Sequence, residues 1–254
     1  MPRQARQISE TGFYHIVFRG VNHCNLFEEQ EDFERMLHLL ANVKSELDLA
    51  VPAYCLMDNH VHLLIQEQAA GDVILAMRKL LGPYAYWFNR KYGRSGALIA
   101  NRYRSSCVES DEYLLTLVRY IHQNPLVAGI AGRIENYRWS SYGDYVKKTS
   151  SLTDTQFILQ MFSSDHEAAI NGFIDFHKTL ESKDLSFSGS SKKAERTIHE
   201  EATAALGGVE PHSISGMPRN ERDSALTLLR RSGFSIRQIE RATGVSRNII
   251  AKNT

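Results

Sequence analysis

The chain is expected to be α+β: a ferredoxin-like split-βαβ domain with an antiparallel sheet, followed by an all-α helix-turn-helix domain. Three observations lead there. Between Phe13 and Glu109, alternating and helix-period apolar patterns succeed one another in the order β-α-β-β-α-β. A long helical pattern begins at Asp111. Beyond the serine-rich stretch Ser182 to Ser191, apolar residues recur only at helical spacing.

Taken in order, Phe13 to Arg19 sets aromatic and aliphatic residues against His15 and Arg19, as a strand does. Glu29 to Leu47 places Phe33, Met36, Leu37, Leu40 and Leu47 along one helical stripe behind an acidic first turn. Val51 to Met57 and His60 to Gln66 are strand-like runs separated by Asp58-Asn59, a two-residue hairpin signal. Asp72 is a capping residue for a helix whose apolar face includes Ile74, Leu81, Tyr84 and Phe88, with Pro83 as a bend or restart. Gly93 and Gly96 mark a turn, and Arg102 to Glu109 alternates again. This order predicts helices on one face of the sheet.

Asp111 then caps a helix that buries Leu114, Leu117, Val118 and Ile121 and is expected to stop at Pro125. Asp154 to Met161 and Asp165 to Leu180 read as two more helices. The C-terminal part contains three: Ala225 to Arg231, Ser235 to Thr243 and Ser246 to Lys252, with Ser235 and Ser246 as caps and Gly244 in the turn. The predicted division is residues 1–147 for the first domain, 148–182 for a helical extension, 183–194 for a linker and 195–254 for the helical domain.

The 254 residues are 43% hydrophobic and 23% charged, as in ordinary globular proteins. Met1 to Ser9 is polar and basic with no apolar segment behind it, and no run approaches the length of a membrane span. Three widely spaced cysteines without a CxxC pair argue against a zinc knuckle or disulfide framework, so a cytoplasmic location is expected. The net charge is only +1, but it is unevenly distributed. Seven basic and no acidic residues lie between Asp72 and Glu109, interleaved with Tyr84, Tyr86, Trp87, Phe88, Tyr92 and Tyr103. From Arg219 to Thr254 there are eight basic residues against three acidic. Two cationic zones suit a phosphate-backbone binder; solvated helix faces over buried aromatics are the alternative.

His60 and His62 stand two apart on a strand, so both imidazoles leave one face and can hold one divalent ion. Tyr120 and Asn124 stand four apart on a helix and share a face. An amide oxygen at Asn124 is a candidate third ligand, with Tyr120 in reach of the same ion. A phenol of pKa about 10 is a poor nucleophile unless a metal polarises the phosphate it attacks. The spacing fits equally a half-buried tyrosine ahead of a helix-ending asparagine.

Five blocks then carry a resemblance: Tyr14 to Asn22, Tyr54 to Ile65, Asn101 to Ser105, Arg119 to Gly129, and Trp139-Ser140-Ser141-Tyr142. Their order and spacing, over about Gly12 to Tyr145, resemble the REP-associated tyrosine transposases of the IS200-like, HUH single-tyrosine family. The resemblance implies that His60, His62 and Asn124 bind Mg²⁺ or Mn²⁺. It makes Tyr120 the nucleophile on single-stranded, hairpin-bearing DNA, giving a 5′-phosphotyrosine bond and a free 3′-OH. Asp58 stands where the family commonly has proline, and Gln123 is a rival to Asn124 as ligand. Arg19, Asn22, Arg102 and Arg104 are candidate DNA contacts, while Trp139 reads as a core residue. The C-terminal unit is similar to the duplex-binding domain of the bacterial replication initiator, with Arg247, Asn248 and Lys252 on its recognition helix. Two other functions compete: a non-catalytic transcription regulator, and a small-substrate metal hydrolase. The first leaves the grouping of tyrosine, asparagine and histidines unexplained, and the second lacks a further His/Asp cluster or acidic base.

Overall fold

Strand β1 (Phe13–Arg19) lies inside an antiparallel sheet, bonded on one side to β3 (His60–Gln66) and on the other to β4 (Arg104–Cys107). β2 (Ala50–Met57) completes it through the hairpin with β3, giving the order β2-β3-β1-β4. With α1 (Gln30–Glu46) between β1 and β2 and α2 (Asp72–Lys91) between β3 and β4, this is the split-βαβ arrangement. These elements belong to a computed structural model that describes residues 7–147, 152–180, 201–234, 236–245 and 247–252. They fall into two compact units, divided within the stretch 181–200. The predicted linker at 183–194 therefore lies outside the described residues, as do the caps Ser235 and Ser246.

Period-two alternation sorts the strand residues onto two faces. Ile16, Phe18, Tyr54, Leu56, Val61 and Leu63 pack beneath α1 and α2 with Met36, Leu40, Met77, Leu80, Tyr84 and Phe88. α1 and α2 thus share one face, as expected, and the opposite face is covered by the helices that follow the sheet. There Ala53, Cys55, Met57 and Leu64 meet α3 (Asp111–Val127), α4 (Tyr142–Lys147), α5 (Gln156–Gln160) and α6 (His166–Lys178). The cause is visible in β2: a strand apolar at nearly every position must be buried on both sides.

Several boundaries move for local reasons. Ser110, not Asp111, caps α3, its hydroxyl accepting from the Tyr113 N–H at 3.3 Å. Gly71, at φ 103°, precedes α2, while the Asp72 carboxylate reaches back to the Ala69 N–H at 3.1 Å. Pro125 does not end α3, which runs to Val127. So near the C-terminus, a proline deprives only the Ile121 carbonyl of its helical donor. Likewise α2 continues through Pro83. β4 begins at Arg104, so Arg102 lies in the bend before the strand rather than beside Arg104 on its face.

Two of the four cations on α2 are paired with α1 and its cap. Lys79 pairs with Glu46 at 2.6 Å, and Lys91 meets Glu29, Glu31 and Asp32 at 3.2, 2.8 and 2.8 Å. Tyr84 and Phe88 are core residues, and the Tyr92 hydroxyl donates to Asp32 at 2.8 Å. Trp139 stacks on Phe33, ring centroids 4.5 Å apart.

The C-terminal unit has its own core of Ala202, Ile214, Leu226, Leu229, Phe234, Ile239, Ala242, Val245 and Ile250. Residues 201–205 are helical, followed by α7 (Arg219–Arg231), α8 (Ile236–Thr243) and α9 (Arg247–Lys252). Gly244, at φ 72°, makes the turn between α8 and α9. Among the described residues, no helix is long and apolar enough to cross a membrane.

Candidate active site

The sheet face beneath α3 carries the candidate residues. On β3, His60 and His62 leave this face on either side of the core residue Val61; His62 is 1% exposed and His60 half-buried. The two rings lie edge to face, 5.1 Å between centroids. α3 brings the half-buried Tyr120 edge-on to His62, 5.5 Å between centroids and 84° between planes. A residue on a strand and one on a helix, far apart in sequence, thus share a wall.

That wall has a third imidazole that sequence reasoning treated only as part of a strand. His15 on β1 is fully buried, its ring 5.3 Å from that of His62 and 6.3 Å from that of Tyr120. Its Nε2 lies 3.0 Å from His62 Nδ1. Burial pulls the His15 pKa down to about 3, so its imidazole is neutral at physiological pH. The alternation of Tyr14, Ile16 and Phe18 already put His15 on the other face; the missing information was the β1–β3 register.

Asn124 lies one turn beyond Tyr120, and its Nδ2 donates to the Tyr120 carbonyl at 2.8 Å, so its oxygen is the amide end directed elsewhere. Gln123 is turned into the seam between α3 and α6, where its Nε2 donates to the carbonyls of His177 and Thr179, both at 2.9 Å. Its engagement there leaves Asn124 as the better amide candidate. Among the described residues, no group of three His, Cys, Asp or Glu side chains is arranged to hold an ion. Two imidazoles and one amide oxygen, brought to one divalent ion, would make a mixed nitrogen–oxygen donor set with open positions.

Cationic groups border this wall. Arg19 ends β1 directly across from His60, and Arg104 stands across from Val17 on β4, on the same face by strand alternation. Arg104 is exposed and Arg19 half-buried. Asn22 follows β1, exposed and left-handed at φ 51°, and Arg102 is exposed ahead of β4. Arg247 and Asn248 belong to α9, but their side chains, like that of Lys252, lie outside the described residues.

The site is thus a paired-imidazole strand facing a helix-borne tyrosine, rimmed by arginine. Over residues 9–124 the chain matches the family model described as Transposase IS200 like, a span that includes His15, both hairpin histidines, Tyr120 and Asn124. That span is 116 of the 254 residues, a little under half of the chain. Among solved structures it is similar to a REP-associated tyrosine transposase bound to a REP hairpin, at 15% identity and TM-score 0.48, covering 60% of this chain and 90% of that one. A structure assigned as a transposase from Deinococcus radiodurans R1 is also similar, at 18% identity and TM-score 0.33, covering 48% and 95%. No curated protein matches the chain.

Proposed function

We propose that the front unit cleaves and rejoins single-stranded, hairpin-bearing DNA, with Tyr120 as nucleophile and His60, His62 and Asn124 as ligands of Mg²⁺ or Mn²⁺. The observation carrying this reading is the edge-on placement of the Tyr120 ring 5.5 Å from His62, on the face that also bears His60. The phenolic oxygen attacks the scissile phosphorus, its proton leaving to solvent. The P–O3′ bond breaks, leaving a 5′-phosphotyrosine link and a free 3′-OH. Attack by a 3′-OH reverses the step and returns the phenol, so rejoining needs no external energy source. A bound ion would supply Lewis-acid polarisation of the phosphate. Arg19 and Arg104, with Asn22 and Arg102 at the edge, take the phosphates flanking the scissile one, where planar guanidinium groups match phosphate oxygens. The match to the IS200-like transposase model supports action on DNA; the imidazole pair and the phenol support the chemistry.

With Mn²⁺ and a labelled hairpin-flanked single strand, the full chain is expected to yield a protein–DNA adduct stable in denaturing gels. Tyr120→Phe should abolish it while DNA binding persists. An adduct of undiminished yield in that variant would assign the nucleophile elsewhere. In the same proposal the C-terminal unit binds duplex DNA through α9, so Arg247→Ala with Asn248→Ala should weaken duplex binding but not adduct formation. Duplex binding with no adduct under any metal condition would favour a non-catalytic regulator instead.

A further inference from the structure

We infer that His15 and Asn59 are positioning residues that hold both hairpin imidazoles as Nδ1–H tautomers, so that each presents its Nε2 lone pair to one cation. This rests on the metal-dependent reading above. Both imidazoles are gripped at the same ring atom. His60 Nδ1 lies 2.7 Å from Asn59 Oδ1, and His62 Nδ1 lies 3.0 Å from His15 Nε2. A carbonyl oxygen only accepts, so the Asn59 contact makes His60 Nδ1 the donor and leaves the His60 lone pair on Nε2.

With both rings singly protonated, the His15–His62 contact has two proton arrangements. If His15 Nε2–H donates, the proton of His62 must sit on Nε2, and His62 cannot ligate through that atom. If His62 Nδ1–H donates, His15 accepts with its own proton on Nδ1, and His62 Nε2 is a ligand. Only the second arrangement lets the two histidines act alike. Hydrogen bonding at the other nitrogen commonly sets which imidazole atom binds a metal.

The sheet makes this contact rigid. β1 and β3 pair with His15 across from Leu64 and Val17 across from His62, so His15 is the diagonal neighbour of His62 on one face. With both rings buried, water does not compete for the bond. Asn59 is held in turn: its carbonyl accepts from the Gly20 N–H at 2.9 Å, directly after β1. Both positioning residues are therefore anchored to the same strand.

The test is the Mn²⁺ affinity of the full chain, read as free Mn²⁺ by electron paramagnetic resonance, together with imidazole ¹⁵N shifts of the Mg²⁺-loaded protein. His15→Leu should weaken Mn²⁺ binding by about 10- to 100-fold. His15→Gln, whose amide oxygen can accept from His62 Nδ1, should recover most of the loss. The ¹⁵N spectrum of the wild type should place the His60 and His62 protons on Nδ1. A folded His15→Leu variant with wild-type affinity would overturn the inference, as would a His62 proton found on Nε2. If His15→Leu does not fold, the glutamine variant and the wild-type spectrum decide. A wild type that binds no Mn²⁺, or binds it equally after His62→Ala, would overturn the metal reading itself. That result is distinguishable from normal binding with an indifferent His15.

Discussion

Gly20 shows how one residue can carry a site. Its φ of −64° is open to any amino acid, yet a Cβ there would stand 2.0 Å from the Cys24 carbonyl oxygen. The contact matters because Gly20 holds Asn59, while Leu26 and Phe27 donate from the same loop to the Asp58 carbonyl at 2.6 and 3.2 Å. Gly20→Ala is expected to destabilise the front unit by about 1–3 kcal/mol, as overpacking against backbone does. A urea midpoint equal to that of the wild type would refute it. Arg104 offers a complementary test. If it takes a phosphate without base readout, as proposed, its loss in Arg104→Ala should weaken binding to all single strands alike and lower the slope of log affinity against log salt by about one. Loss of binding to one sequence alone would contradict that role.

At the scale of elements, α3 is fixed by α6 rather than by the sheet alone. Arg119 Nη1 donates to the Phe176 carbonyl at 3.4 Å, with its guanidinium carbon 4.2 Å from the Phe176 ring centroid, and Gln123 bonds the carbonyls of His177 in α6 and of Thr179 just after it. A buried chain runs beside them from His177 to His122 at 3.0 Å and on to the Ser141 hydroxyl at 2.8 Å. Ser141 reaches β2 in turn, accepting from the Tyr54 N–H at 2.9 Å. Gln123→Leu should cost about 1–3 kcal/mol by leaving the buried His177 carbonyl without this donor, measurable in thermal or urea unfolding.

The same chain predicts acid sensitivity. Burial, reinforced by nearby Arg119, pulls His177 down to about 4, and burial holds His122 well below its ordinary range. Below about pH 6.5 the unfolded chain takes up protons that these rings refuse when folded. Their contribution is thus intact above that pH. Stability should fall by about 1.4 kcal/mol per pH unit for each such histidine as the pH drops towards 4. Urea midpoints at pH 7 and pH 5 measure it; equal values would contradict the burial argument.

For the whole molecule, both sheet cores draw their buried residues from positions 13–173, and the C-terminal core draws none from that range. A chain ending at residue 180 is therefore expected to unfold cooperatively and to keep Tyr120-dependent adduct formation. Circular dichroism melting and the adduct assay test the two parts; failure to fold would show that the first unit depends on the second.

Much of this was legible in the residues. The hairpin at Asp58-Asn59, the βαββαβ order, the shared face of His60 and His62 and the one-turn spacing of Tyr120 and Asn124 follow from periodicities and spacings that one chain segment carries by itself. What was misjudged depended on neighbours. Lys79 and Lys91 look like free cations until Glu46, Glu29, Glu31 and Asp32 arrive from another helix. Pro125 looks like a stop until α3 is seen to run to Val127 with a single helical donor missing. By itself, the sequence determined the strands, the helices and the residue types able to do phosphodiester chemistry, because local patterns encode which face is buried. Only the tertiary structure decided that His15 grips His62, that Gln123 faces α6, and that the sheet is covered on both sides. Those facts depend on register and packing between segments, which no spacing along one chain records.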